Sequence, residues 1–249
     1  MAVYAISDLH LALSMDKPMD IFGNRWVNYM QKLKKSWQEI VTDDDYVIVP
    51  GDISWATYLS EAKEDFEYIH MLPGKKIISK GNHDYWWATL SKLEKFVMEN
   101  EFYSISFMQN NSFWLGKNII LCGTRGWKCP GDEDFSSEDR KIYNRELQRL
   151  ELSLKSIRQN KKDDMDSEVK SDEEKEDNRI IVALHYPPFN AKGEASEFVD
   201  IMKNFGVHDC IYGHLHGEGF KNAVEGNISG IEFKLVSADY LDFKPFKIV

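Results

Sequence analysis

Three strand-like segments in the first third of the chain each end in a polar stretch, and a helix-like segment follows each of them. The strand-like segments are residues 2–7, 46–50 and 76–79. Strands that alternate with helices pair in parallel through right-handed crossovers. Because such sheets bind ligands outside the carboxyl ends of their strands, we predict that Asp8, Asp52 and Asn82 lie on one rim.

The hydrophobic pattern also predicts the remaining elements. Apolar residues at steps of three and four predict a helix over about 25–41, with Asn24 as its N-cap. A second helix is predicted before Pro73-Gly74, and another opens near Trp86-Trp87-Ala88. Further strands are predicted at 103–107, 112–115, 118–122, 180–184, 210–212, 219–223 and 231–237, with an edge at 245–249. Helices are predicted from Ser136 or Ser137 and over 195–205.

A charged tract interrupts this pattern. Residues 161–177 hold nine acidic and four basic side chains and only two apolar ones. Such a segment does not bury enough apolar surface to fold alone. We therefore expect a single domain over 1–249 that carries a flexible insertion at about 160–178.

Composition limits the setting and the partners. A net charge of −10 argues against nucleic acid, which needs a basic surface, but not against a small anionic substrate near bound cations. No segment approaches the roughly 20 apolar residues of a membrane span. The three cysteines show no metal-type spacing, which favours reduced thiols and a cytoplasmic location.

Histidines are concentrated at the predicted strand ends. Five of the seven follow strand candidates directly, namely His10, His83, His185, His214 and His216. Imidazole nitrogens with the carboxylate and amide oxygens of Asp8, Asp52 and Asn82 suit Zn, Fe, Mn or Co. The joint pattern predicts a metal site, and two metal ions are accommodated if one carboxylate bridges them.

The order of these motifs resembles that of the calcineurin-like metallophosphoesterase superfamily over nearly the whole chain. The motifs are Asp8-x-His10, Gly51-Asp52, Gly81-Asn82-His83-Asp84, His185 and Gly213-His214-x-His216. The resemblance implies an α/β fold, a four-layer α/β/β/α sandwich of two mixed sheets flanked by helices. It also implies that Asp8, His10 and His216 bind one metal, Asn82, His185 and His214 bind a second, and Asp52 bridges both.

The resemblance further implies a dinuclear metal-dependent hydrolase that cleaves phosphoesters by attack of a metal-bridging hydroxide. We expect His83 to protonate the leaving group and Asp84, its neighbour, to orient it. Arg125 is either a phosphate ligand or one partner of a surface ion pair. Many members have an acidic residue shortly after the Gly-Asp pair, whereas Ile53-Ser54-Trp55-Ala56 follows here, and this weakens substrate analogies with those members.

Three functions stay open at this point. The loop His185-Tyr186-Pro187-Pro188 resembles that of members acting on small phosphodiesters, although a tyrosine replaces a histidine common there. This favours a small-molecule phosphodiesterase. The alternatives are a nuclease, which the negative charge opposes, and a non-catalytic metal-binding scaffold of the same fold.

Overall fold

The computed structural model describes residues 1–15, 17–116, 118–163 and 178–249. Most of the predicted insertion at about 160–178 lies outside these ranges. The described strands are β1 Val3–Ala5, β2 Tyr46–Pro50, β3 Lys75–Ser79, β4 Ile105–Phe107, β5 Phe113–Trp114, β6 Ile119–Thr124, β7 Arg179–Leu184, β8 Asp209–Tyr212, β9 Gly226–Ile228, β10 Ile231–Leu235 and β11 Phe246–Lys247. The described α-helices are α1 Tyr29–Ile40, α2 Lys63–His70, α3 Leu90–Glu99, α4 Ser137–Asp163 and α5 Glu197–Asn204.

The strands form two mixed sheets. One has the order β11-β1-β2-β3-β4, and the other has the order β5-β6-β7-β8-β10-β9. The central pairs of both sheets are parallel, whereas β11, β5 and β9 pair antiparallel at the edges. Parallel pairing follows from the helical crossovers between the strands, as the sequence predicted.

Side-chain alternation along the strands builds a four-layer sandwich. In β2, Ile48 faces the second sheet, while Val47 and Val49 face the helices. In β7, Ile181 faces the first sheet and Val182 faces the other way. Both faces of each sheet are therefore apolar, and this is why these strands read as continuous hydrophobic runs. The predicted α/β/β/α sandwich of two mixed sheets is confirmed.

Two predicted helix starts and one predicted strand are wrong. Helix α1 begins at Tyr29 because Asn28 has a left-handed backbone, and Asn24–Trp26 form a separate 3-10 helix instead. Helix α3 begins at Leu90, because the turn before it carries an indole that donates to Asp84. The predicted strand at 219–223 is part of a 3-10 helix, Gly217–Asn222.

The two sheets meet at the carboxyl end of β1. Ser7 forms a parallel bridge with Ser237, two residues after the end of β10 in the other sheet. The backbone amide of Ser7 donates to Val236, and that of Ala238 donates to Ser7. This link brings the loops of both sheets to one rim. None of the described helices is long and apolar enough to cross a lipid bilayer.

Candidate metal centre

The rim residues have an unusual backbone. Asp8, His10, Asp52 and His214 all have positive φ, between 46° and 72°. This region is unfavourable for residues with a Cβ and recurs at functional sites, where the surrounding structure enforces it. Backbone bonds between the loops after β1 and β2 provide that support: the amide of Asp8 donates to Gly51 and that of His10 to Asp52.

Two glycines of the motifs are required by close packing. A Cβ on Gly81 would collide with the carboxylate and backbone nitrogen of Asp52. A Cβ on Gly213 would collide with Ser7 and with a carboxylate oxygen of Asp8. Glycine at these positions therefore lets neighbouring loops approach the two carboxylates.

A first group of donors consists of Asp8, His10 and His216. Their ligand atoms all lie within 4.8 Å of one another. Nε2 of His216 is 3.4 Å from Oδ1 of Asp8 and 3.4 Å from Nε2 of His10. Asp8 is fully buried and His10 nearly so, whereas His216 is partly exposed. This is the set that the resemblance assigns to one metal.

Asp239 holds His216 in place, and the sequence reasoning missed it. Nδ1 of His216 donates to the buried carboxylate of Asp239 at 2.8 Å, which leaves Nε2 directed at the group. A carboxylate behind a ligating histidine fixes its tautomer and its ring orientation. The signal was available, because Asp239 follows the end of a strand as the other rim residues do.

A second group consists of Asp8, Asp52 and His185, again within 4.8 Å. Nδ1 of His185 donates to the carbonyl of Pro50 at 3.1 Å, so Nε2 is free to act as a ligand. Oδ1 of Asn82 is 2.7 Å from that Nε2. The structure therefore places Asn82 and His185 side by side, as the resemblance implied.

Asp52 lies between the two groups. Its Oδ2 is 3.5 Å from Nε2 of His185 and 3.9 Å from Nε2 of His10. Its Oδ1 accepts the backbone amide of His83 at 2.8 Å. One oxygen is thus held by the protein, and the other faces imidazoles of both groups.

The electrostatics of the rim fit a bound cation. Burial and then the charge of Asp8 raise the pKa of Asp52 to about 8. Burial lowers the pKa of His216, but Asp8 and Asp239 outweigh it and raise the value to about 10. Burial lowers the pKa of His185, so its neutral Nε2 and the amide oxygen of Asn82 present two lone pairs to each other. Cations satisfy facing acceptors and crowded carboxylates, and the donor set therefore fits metal ions.

His214 stands apart from these two groups. Its ring lies 5.1 Å from that of His185 and 4.1 Å from that of Tyr186, measured between centroids. Its backbone amide donates to the carboxylate of Asp8. The role of His214 as a ligand of the second metal stays a prediction.

Asp84 does not perform the role expected of it. Its Oδ2 accepts the amides of Asp52 and Gly81, and its Oδ1 accepts the amide of Ile53 and the indole of Trp86. Both oxygens are therefore occupied by groups other than the ring of His83. The prediction that Asp84 orients His83 is corrected: Asp84 joins the loops after β2 and β3.

His83 is half-buried beside the two groups. Its ring centroid lies 4.5 Å from that of Trp55 and 5.8 Å from that of His10, and its Nδ1 is buried with no hydrogen-bond partner among the described residues. Burial, and then His185 and Lys17, lower its pKa. The charge of Asp8 opposes this shift but is outweighed, so the surroundings favour the neutral ring.

Arg125 forms an ion pair and also lines a cavity. Its Nη2 lies 3.5 Å from Oε1 of the buried Glu146, and its guanidinium carbon lies 4.4 Å from the ring centroid of Trp127. The ion pair, one of the two alternatives from the sequence, is present, although its partner is a buried residue. The guanidinium also borders a cavity of about 440 Å³.

A two-sheet sandwich with imidazoles and carboxylates gathered on one rim defines the class of metal-dependent hydrolases. The chain belongs to the calcineurin-like phosphoesterase family, whose profile matches residues 1–218. Membership supports metal-dependent hydrolysis of phosphoesters, and proteins of this family typically bind two metal ions. None of the curated proteins matches this chain.

Solved structures share the fold. The phosphopantetheinyl hydrolase PptH from Mycobacterium tuberculosis is 12% identical with a TM-score of 0.52, over 100% of this chain and 95% of that chain. The protein TT1561 of Thermus thermophilus is 13% identical with a TM-score of 0.51, over 86% of this chain and 81% of that chain. At these identities the likeness concerns the fold alone.

Proposed function

We propose that this chain is a phosphodiesterase that hydrolyses small anionic phosphodiesters with two metal ions. The observation that carries the proposal is the position of Asp52, whose Oδ2 faces the imidazoles of both donor groups. Asp8, His10 and His216 would hold one ion, and Asn82, His185 and His214 the other, with Asp52 shared. When bound, two such ions supply a nucleophile at neutral pH and neutralise charge on the phosphoryl oxygens.

Hydrogen bonds within the protein hold this donor set in position. Asp239 accepts a hydrogen bond from Nδ1 of His216, and the carbonyl of Pro50 accepts one from Nδ1 of His185. Each bond directs the Nε2 atom of its ring inward. Asp84 ties the loops of Asp52 and Asn82 together. Ligands fixed in this way need little reorganisation on binding.

His83 is proposed as the general acid that protonates the leaving oxygen. Its ring is the partly exposed imidazole between Trp55 and His10, so it contacts solvent and the donor groups together. The lowered pKa of His83 opposes protonation of its ring. The negative charge of a bound phosphoester would raise this pKa again. Acid catalysis of this kind contributes about 10²–10⁴-fold.

The cavities support a diester. A cavity of about 440 Å³ includes Arg125, and a second of about 420 Å³ includes Tyr186 and His214. Together they offer space for two ester substituents beside one phosphoryl group, whereas a monoester needs one.

The three cysteines are free and buried, and we propose a cytoplasmic location on this basis.

The deciding experiment compares a monoester with its matching diester. Purified protein loaded with Mn²⁺, Fe²⁺ or Zn²⁺ is assayed with p-nitrophenyl phosphate and bis(p-nitrophenyl) phosphate. We expect a kcat/KM about tenfold or more higher for the diester, equal to about 1.4 kcal/mol. A higher value for the monoester would overturn the diesterase assignment. No turnover at full metal occupancy would favour the scaffold function.

A further inference from the structure

One cavity beside the metal donors has a strongly basic lining. It measures about 440 Å³, and its lining holds four basic side chains and one acidic one: Lys80, Lys92, Arg125, Arg149 and Glu146. The cavity thus carries an excess of three positive charges, while the whole chain has a net charge of −10. This local reversal of sign matches an anionic ligand rather than a general property of the surface.

Glu146 organises the basic side chains. It is fully buried, and its Oε1 lies 2.7 Å from Nη1 of Arg149 and 3.5 Å from Nη2 of Arg125. Its Oε2 accepts the hydroxyl of Thr124 at 2.6 Å, and Nε of the more exposed Arg145 is 4.0 Å from Oε1. A single carboxylate orients both guanidinium groups but neutralises only one of them.

Arg125 keeps a donor free. Its Nε is buried and has no hydrogen-bond partner among the described residues. The ring of Trp127, 4.4 Å from the guanidinium carbon, packs against the group and limits its movement. A buried donor without a partner costs free energy, and an oxygen atom of a ligand would relieve this cost.

The cavity adjoins the second donor group. The backbone carbonyl of Arg125 accepts the amides of His185 and Tyr186 at 3.0 and 2.9 Å. Lys80 precedes Asn82 by two residues, so their Cα atoms are no more than about 7 Å apart. The loops of Lys80 and Arg125 therefore connect the cavity to the second donor group, and an anion in the cavity would lie near a phosphoester bound at the ions.

We infer that this cavity is a second anion subsite, which binds a phosphate group of the substrate other than the one that is hydrolysed. The inference rests on the proposed function and narrows its substrate class to small phosphodiesters that carry a terminal phosphate. Two guanidinium groups and two ammonium groups suit a dianionic phosphate, with its several acceptor oxygens, better than a monoanionic carboxylate.

A binding measurement tests the subsite without catalysis. Metal-stripped protein in excess EDTA is titrated with inorganic phosphate or with acetate, by calorimetry. We expect phosphate to bind more tightly than acetate, and Lys80→Gln and Arg149→Gln each to weaken phosphate binding by about fivefold or more. Arg140→Gln makes the same charge change on helix α4 away from the cavity, and its affinity should match the wild type.

Thermal melting accompanies this titration, because Arg149→Gln also removes a partner of the buried Glu146. Lys80 lies outside the hydrogen bonds of Glu146, so Lys80→Gln leaves that network intact. Equal phosphate affinity in Lys80→Gln and in the wild type would overturn the subsite. Equal binding of acetate and phosphate would overturn the assignment of phosphate.

A substrate pair then tests the subsite during turnover. Thymidine 5′-(p-nitrophenyl phosphate) is compared with the same diester that also carries a 3′-phosphate. We expect the 3′-phosphate to raise kcat/KM about tenfold, and this ratio to fall towards one in Lys80→Gln but not in Arg140→Gln. A wild-type ratio of one, with both diesters hydrolysed, overturns the subsite alone. If neither diester nor a monoester is hydrolysed by the metal-loaded protein, the proposed function fails instead.

Discussion

Asp52 is the residue that lies between the two donor groups and faces both. Its Oδ2 faces Nε2 of His185 at 3.5 Å and Nε2 of His10 at 3.9 Å, while its Oδ1 is held by the amide of His83. A carboxylate in this position is attracted to cations on both sides. Replacing it therefore affects both ions, whereas replacing His10 or His185 removes a ligand from one.

Asp52→Asn should lower the metal content from two ions per chain to one or fewer and reduce kcat/KM more than any single histidine substitution at the rim. The amide keeps the size of the side chain but removes the charge shared by both ions. Metal content after dialysis, measured by mass spectrometry, checks this. The exposed Asp20→Asn is the matched control. Two ions retained in Asp52→Asn would contradict a shared position.

His83 is expected to act on the leaving group and not on the ions. His83→Ala should retain both metals and lose about 10²–10⁴-fold in kcat on diesters with poor, alkyl leaving groups. The loss should be much smaller for p-nitrophenyl esters, because p-nitrophenolate leaves without protonation. Parallel rate and metal measurements on both substrate types check the expectation. An emptied site in His83→Ala would mean that the residue is a ligand.

At the scale of elements, the loops after β2 and β3 are held together by Asp84. Its carboxylate is fully buried and accepts amides from both loops, including those of Asp52 and Gly81. Burial and then Asp52 raise the pKa of Asp84 to about 7, while the amide donors oppose the rise. Together with the bond from the amide of His83 to Asp52, this side chain sets the register of the two loops and so the spacing of Asp52 from Asn82.

Asp84→Asn should destabilise the protein by about 1–3 kcal/mol and weaken metal binding. An amide at this position turns an NH₂ group towards donors that need an acceptor. Chemical denaturation and metal titration check both effects. Trp86→Phe removes only the indole donor and should have the smaller effect on metal affinity. If Asp84→Asn keeps stability and metal affinity but loses acid catalysis, the original expectation that it orients His83 is restored.

The whole molecule is a scaffold that holds acidic and imidazole side chains close together. Asp8 and Asp52 lie in one group with ligand atoms within 4.8 Å, and burial strengthens their repulsion. When no cation is bound, the repulsion between these two carboxylates therefore opposes folding. Ions that bind the native chain offset this and stabilise it by mass action.

Removal of metal should lower the thermal stability of the wild type. At a free Mn²⁺ concentration about a hundredfold above Kd, binding contributes about 2.7 kcal/mol to the free energy of unfolding. Scanning calorimetry with Mn²⁺ and with EDTA checks this, with Asp52→Asn as the comparison. The variant should melt higher than the wild type in EDTA, because the repulsion with Asp8 is gone, and gain less from Mn²⁺. The same melting point with and without metal in the wild type would argue against a metal centre.

Much of this protein follows from local patterns in its sequence. The strand–turn–helix repeats predict the parallel sheets, because hydrophobic periodicity and crossover handedness are local rules. The rim position of Asp8, His10, Asp52 and His185 follows from the same rules, since each residue lies in the loop after the carboxyl end of a strand. The strands predicted at 112–115 and 118–122 correspond to β5 and β6, which pair antiparallel with Phe113 opposite Leu121.

The tertiary structure decided which of these side chains meet and what supports them. Asp239 contacts His216 across 23 positions of the sequence, and Glu146 contacts Thr124 across 22, so both contacts exist only in the folded chain. Asp84 is adjacent to His83 in sequence, yet its carboxylate accepts backbone amides of another loop. Sequence alone predicted most of the strands and the residue types at their ends. The direction of each side chain was decided by burial and by long-range hydrogen bonds, which no local pattern records.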